Sequence, residues 1–148
     1  LTGLSDHAEI AQWLRQRIIE IEASLGELPS IAVLVNTESE VRSFAEVLQE
    51  TLADQNISVV PCVDGQVKGR DGAVRIFNVR HIKGLEFEAV FFVGVDRLAG
   101  EYPDLFDKYL YVGATRAATY LGLTCEADLP TNMTPLREWF WQDWSVGS

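Results

Sequence analysis

Cysteine, proline and methionine are scarce in this chain of 148 residues, which contains two, five and one of them. Cys62 and Cys125 show neither CxxC nor CxH spacing, which argues against a zinc site and against a disulfide framework. The longest apolar run, residues 89–95, has the length of a buried strand, whereas a membrane helix needs about 20 residues. We therefore expect no metal site, no membrane segment and two free thiols in a reducing compartment, the cytoplasm.

Basic residues are also few, since 12 Lys and Arg stand against 22 Asp and Glu and the net charge is −10. This balance argues against tight, non-specific binding of nucleic acid, because affinity for phosphates comes from clustered cations, although a local basic patch remains compatible with it. No GxxxxGK[ST] loop and no GxSxG elbow occur. The chain therefore has no phosphate cradle or Mg²⁺ ligand of its own, and we expect it to catalyse nothing by itself.

The composition, 47% hydrophobic and 23% charged, predicts one globular domain over residues 1–148. Helical periodicity is seen after Ser5 and Asp6 up to Gly26, after Thr37 or Ser39, and over about residues 105–118. Short apolar runs predict strands at residues 31–35, 57–60, 74–79, 89–95 and 120–123. This alternation predicts an α/β fold, with a mostly parallel sheet and helices on both faces. Ligands then bind at the carboxyl ends of the strands, in the loops after Val35, Val79 and Val95.

Residues 78–87, Asn-Val-Arg-His-Ile-Lys-Gly-Leu-Glu-Phe, are the first unusual segment. Arg80, Lys83 and Glu86 place charge in a short connection between two predicted strands, and Gly84 permits close backbone approach or a positive φ. The segment is compatible with a solvated turn held by a Lys–Glu pair, and also with a ligand-binding loop.

Residues 109–117, Tyr-Leu-Tyr-Val-Gly-Ala-Thr-Arg-Ala, are the second. On helical spacing Arg116 shares the inward stripe of Leu105, Tyr109 and Val112. A guanidinium there is costly unless it is paired or reaches a polar cleft. Three arrangements are compatible with this position: an Arg–carboxylate pair, a head group in water, and a contact to a ligand phosphate.

Three segments resemble motifs of the UvrD/Rep-type superfamily 1 helicases and occur in the family order between residues 31 and 124. The stretch IKGLEF at residues 82–87, followed by an apolar strand, resembles motif V. LYVGATRA at residues 110–117 resembles motif VI, and IAVLVNT at residues 31–37 is similar to motif IV. The spacing of KGLEF and YVGATRA makes chance similarity an unattractive explanation.

The resemblance implies the second RecA-like domain of an ATP-dependent DNA helicase or translocase, with ATP in the cleft between two RecA-like domains. ATP and Mg²⁺ would be held mainly by the first domain, which supplies the phosphate loop. Arg116 matches the motif VI arginine that reaches the γ-phosphate, and Glu86 matches the motif V glutamate that binds the ribose hydroxyl. Gly84 would place the loop backbone near the phosphates, and Lys83 lies in the same loop without an assigned partner.

The resemblance also implies partners: single-stranded DNA, ATP and the first RecA-like domain of the same parent protein. Asn78 and Arg80 correspond to motif V positions that touch the DNA strand. Asn36 stands where many relatives carry an arginine that contacts the γ-phosphate, so we expect one cationic contact to be missing or supplied elsewhere. The short stretch between Val60 and Val74 leaves no room for an accessory domain, which argues against duplex unwinding and leaves translocation on a single strand or a regulatory motor.

A second hypothesis is a RecA-like binding module without motor function. The acidic net charge, Asn36 and the missing phosphate loop favour it. The aromatic tail, residues 135–148, would then dock a protein partner, whereas under the helicase hypothesis it packs within or between domains. The chain begins at Leu1 without a methionine, and we expect it to be part of a larger protein.

Overall fold

The order of helices and strands follows the alternation that the sequence predicts. The computed structural model describes residues 2–3, 7–63, 73–81, 86–94, 108 and 117–125. The two helices with described bounds are α1 (His7–Leu25) and α2 (Glu38–Leu52). The strands are β1 (Thr2–Gly3), β2 (Ile31–Val35), β3 (Val59–Cys62), β4 (Val74–Asn78), β5 (Phe87–Phe92) and β6 (Ala117–Cys125). Short 3-10 turns follow α2, at Ala53–Gln55, and β4, at Val79–His81.

Six strands form one sheet in the order β1-β6-β5-β2-β4-β3, and every described pairing is parallel. The central strand β2 pairs with β4 from Ile31↔Val74 to Val35↔Asn78, and with β5 from Ile31↔Ala89. All five side chains of β2 are buried, as expected of a strand with both faces covered. The continuous apolar run in the sequence therefore predicted both the strand and its central place.

The core lies between the sheet and the helices α1 and α2, which pack on each other and on one face of the sheet. Every second residue of the central strands belongs to this core, and Trp13 of α1 meets Phe91 edge to face with ring centroids 5.9 Å apart. On the opposite face Leu34 and Phe92 are also buried. The prediction of an α/β fold with a parallel sheet is confirmed.

Local chemistry sets the ends of both helices. Thr37 is extended, with φ −136° and ψ 159°, and its side chain accepts a hydrogen bond from the Glu40 backbone N–H, so it caps α2 as predicted. Gly26 has φ +80° directly after α1, the left-handed conformation in which glycine ends a helix. Arg15 of α1 donates to the carbonyl of Thr51 at the end of α2 and to Asp54 at 2.7 Å, and this second hydrogen bond lowers the pKa of the Asp54 carboxyl.

Several predicted boundaries were wrong, among them that of β5, which lies at Phe87–Phe92 and not at residues 89–95. The helix expected over residues 105–118 extends too far, because Ala117 and Ala118 belong to β6; Lys108 is helical, and the rest of that segment lies outside the described residues. Pairing of Ala117 with Phe87 overrides the helical preference of alanine. The strand expected at residues 57–60 lies at Val59–Cys62 and contains Pro61, which an edge strand tolerates.

Gly122 in β6 has no room for a side chain. An added Cβ would lie 2.5 Å from Cδ1 of Phe91 and 3.1 Å from the Trp13 ring. We expect Gly122→Ala to lower the free energy of unfolding by about 1–3 kcal/mol, the usual cost of overpacking, measured by urea denaturation. Phe91→Leu should relieve part of this clash, so the double variant should lose less stability than the sum of the two single variants. Purely additive losses would contradict the proposed contact.

Candidate functional site

Two of the predicted site residues, Asn78 and Glu86, lie at opposite edges of the sheet. Because all the strands are parallel, their carboxyl ends share one edge and their amino ends share the other. Asn78 ends β4 and is the register partner of Val35, so it lies at the carboxyl edge. Glu86 directly precedes β5 and lies at the amino edge. Five residues of strand, about 16 Å, separate the two edges.

Buried polar groups tie three strand ends together at the carboxyl edge. The Asn36 side chain is fully buried and donates from Nδ2 to the carbonyl oxygen of Gly94 at 3.1 Å. The backbone N–H of Gly94 donates to Oγ1 of Thr124 at 2.9 Å. Gly94 has φ +70°, a left-handed conformation that is strained for a residue with a side chain. The ends of β2, β5 and β6 are therefore joined through one glycine.

The structure gives Asn36 a structural contact. We predicted that a cationic contact to the terminal phosphate is missing at this position or supplied elsewhere, and this stays a prediction. Asn36 follows β2 at the carboxyl edge, and its side chain donates to the Gly94 carbonyl. Its Oδ1 is buried and has no hydrogen-bond partner among the described residues. Through the hydrogen bond to Gly94, Asn36 helps to hold the ends of β2 and β5 together.

The residues predicted to contact DNA follow β4. Asn78 is only 2% exposed. Arg80 lies in the turn Val79–His81, and its side chain is outside the described residues. Beside it, Nδ1 of His81 lies 3.1 Å from Oε1 of Glu38 in the first turn of α2. Sequence reasoning predicted neither the contact between His81 and Glu38 nor the hydrogen bond to Thr124. Nothing in composition or spacing indicates these partners.

One predicted nucleotide contact, Glu86, lies at the amino edge. The side chain of Glu86 is exposed, and the next residue, Phe87, is the register partner of Ala117, which follows Arg116 in sequence. In sequence, Glu86 and Arg116 therefore directly precede the first residues of two neighbouring strands, β5 and β6. Lys83, Gly84 and Arg116 lie outside the described residues. The loops in which we expected ligands follow strands at the carboxyl edge, whereas Glu86, a nucleotide contact by resemblance, directly precedes β5 at the amino edge; both stay predictions.

Neither a metal site nor a membrane span occurs in the part of the chain that the structure describes. No group of three or more His, Cys, Asp or Glu side chains there could hold a metal ion. No helix with described residues is both long and apolar enough to cross a bilayer.

The comparisons with known proteins agree with the motif resemblance. Residues 73–124, about a third of the chain, match the family model of the UvrD-like helicase C-terminal domain. This segment extends from just before β4 to the end of β6 and contains both predicted motifs, V and VI. The resemblance to the C-terminal domain of UvrD-like helicases is thereby confirmed. No curated protein matches the sequence.

Among solved structures the chain is similar to the C-terminal domain of a possible DNA helicase from Lactobacillus plantarum WCFS1. The TM-score is 0.65 at 17% sequence identity, and the match covers 90% of this chain and 76% of the other. At this identity the likeness shows a shared fold.

Removing the Asn36 side chain tests its part in holding the strand ends together. Asn36→Ala leaves the Gly94 carbonyl without its buried donor, so we expect a loss of about 1–3 kcal/mol in the free energy of unfolding. For a chain of this size that lowers the thermal midpoint by roughly 2–4 °C per kcal/mol, measured by calorimetry. Asn36→Arg must bury a cation in the same place and should be worse. An Asn36→Arg variant of unchanged stability would contradict this role.

Proposed function

We propose that the chain is the second RecA-like domain of an ATP-dependent DNA helicase or translocase that acts in the cytoplasm. In this proposal it contributes an arginine and a ribose contact to ATP bound between two RecA-like domains, and it forms part of the track for single-stranded DNA. The parent protein hydrolyses ATP, while this domain alone is inactive. The observation that carries the proposal is the pairing of Phe87 with Ala117, which makes the residues after Glu86 and Arg116 neighbours.

This pairing supports a shared nucleotide site because it joins Phe87, the last residue of motif V, to Ala117, the last residue of motif VI, at the amino edge of the sheet. Glu86 is exposed there, so its carboxylate is available to accept hydrogen bonds from ribose hydroxyls. Arg116 would neutralise the charge that develops on the transferred phosphoryl group. Gly84 and Lys83 would lie beside the phosphates, in the connection that leads to Glu86. Mg²⁺ and the phosphate loop would come mainly from the first RecA-like domain.

The carboxyl edge is the proposed DNA side, with Asn78 and Arg80 touching the strand. Because the net charge is −10, contacts to DNA phosphates would have to be local. Separate edges for ATP and DNA suit a motor, since closing of a cleft at one edge can displace a strand held at the other. The short stretch between β3 and β4 favours translocation on a single strand.

Arg116→Ala tests the proposed phosphate contact in the parent protein. Loss of the guanidinium should lower the turnover number of DNA-stimulated ATP hydrolysis by about 10³–10⁵, the range for an arginine that stabilises phosphoryl transfer. Lys108→Ala, which removes an exposed cation earlier in the same segment, should leave turnover unchanged. Steady-state ATPase assays with excess single-stranded DNA measure both. Normal turnover in Arg116→Ala, or no ATPase activity in the wild type, would favour the binding module without motor function.

Glu86→Ala tests the proposed ribose contact. Because Glu86 is exposed, the variant should fold normally, and we expect the KM for ATP to rise several-fold with a smaller change in kcat. Glu9→Ala on α1 removes another exposed carboxylate and serves as the control. The same assay with 2′-deoxy-ATP should show a smaller difference between Glu86→Ala and the wild type. An unaltered KM for ATP would refute the assignment.

A further inference from the structure

Among the strands that the structure describes, β3 forms one edge of the sheet, and its outward backbone groups decide what can pair there. In a strand, successive residues direct their N–H and C=O groups to opposite sides. The N–H of Val74 in β4 donates to the carbonyl of Ser58 at 2.9 Å, so Ser58 faces β4. By alternation Val60 and Cys62 face β4 as well, while Ile57, Val59 and Pro61 face outward.

Gln49 of α2 occupies the first outward position. Its Oε1 accepts a hydrogen bond from the N–H of Val59 at 2.9 Å, and its Nε2 donates to the carbonyl of Ile57 at 3.2 Å. These are the two groups that a further parallel strand would bond, and one side-chain amide bonds both. Gln49 therefore acts as a one-residue substitute for a neighbouring strand.

Pro61 occupies the next outward position. Proline has no backbone N–H, so this residue offers no donor to a neighbouring strand. Val59 and Pro61 are the two outward-facing residues of β3, and the single N–H between them is bonded to Gln49. Within β3 an approaching strand would find outward carbonyl oxygens and no free donor.

We infer that Gln49 and Pro61 together close the β3 edge to strand addition, by a second copy of this chain or by an extended peptide. An exposed edge strand of a parallel sheet is otherwise a template for pairing between molecules. The closure is independent of the proposed motor function, since it rests on the backbone of β3 and on α2. A partner that meets this side of the domain would have to bind through side chains, such as those of Arg42 and Glu46 beside the edge.

Hydrogen exchange in the full chain tests whether Gln49 caps the outward groups of β3. In Gln49→Ala the Val59 amide should lose about tenfold in protection, as expected when one hydrogen bond of ordinary strength is removed. The Val60 amide, which faces β4, should keep its protection. Gln12→Ala makes the same chemical change at an exposed position of α1 and should alter neither amide. Equal loss at Val59 and Val60 would mean that Gln49 supports the whole strand, and unchanged protection at Val59 would mean that it caps nothing; either result overturns the inference.

The double variant Gln49→Ala/Pro61→Val tests whether Gln49 and Pro61 prevent strand addition, because it provides two free outward donors on β3. We expect a concentration-dependent rise in mass by light scattering after size exclusion, with the helix signal in circular dichroism retained. Each single variant should associate less than the double variant. A double variant that keeps its helix signal and stays monomeric at millimolar concentration would overturn the inference.

If the double variant loses its helix signal, Gln49→Glu/Pro61→Val replaces it. A carboxylate at position 49 retains the acceptor for the Val59 N–H, so one of the two outward donors stays bonded. Monomeric behaviour of this variant in the same light-scattering measurement is then the expected result. Its association through the β3 edge would overturn the inference.

Discussion

The parallel direction of every strand is the constraint on which the rest of the structure depends. It places all carboxyl ends on one edge and all amino ends on the other, so a connection between neighbouring parallel strands must pass from edge to edge. Between β4 and β5 that passage takes eight residues, 79–86. This short segment starts directly after Asn78 and ends at Glu86. It therefore connects a proposed DNA contact at one edge of the sheet with a proposed nucleotide contact at the other.

The ends of the central strands need polar partners that the ladder itself does not provide. Asn36 donates to the carbonyl of Gly94, whose φ is +70°, and Thr124 accepts from the Gly94 N–H. In a buried setting an unmade hydrogen bond costs more than a made one contributes, so such polar side chains hold their strands in one arrangement. The hydrogen bond to Gly94 therefore gives a structural reason for an asparagine at position 36.

The edge strand β3 differs from the central strand β2 in its residues and in the partners of its backbone groups. Every side chain of β2 is apolar and buried, because neighbours lie on both sides and both faces. In β3 a proline and a side-chain amide from α2 take the place of the missing neighbour. The same hydrogen-bonding requirement thus selects different residues at the centre and at the edge of one sheet.

The sequence by itself determined the local features: the buried strand Ile31–Val35, the Thr37 cap, the glycine after α1, and the two motifs by which residues 73–124 resemble a UvrD-like helicase C-terminal domain. Each depends on neighbours within a few residues, so spacing and residue type suffice to predict it. Only the tertiary structure decided that β6 begins at Ala117, that Asn36 points into the sheet, and that Glu86 lies opposite Asn78. Register and edge position arise from pairing between segments distant in sequence, and no local pattern encodes which strands become neighbours.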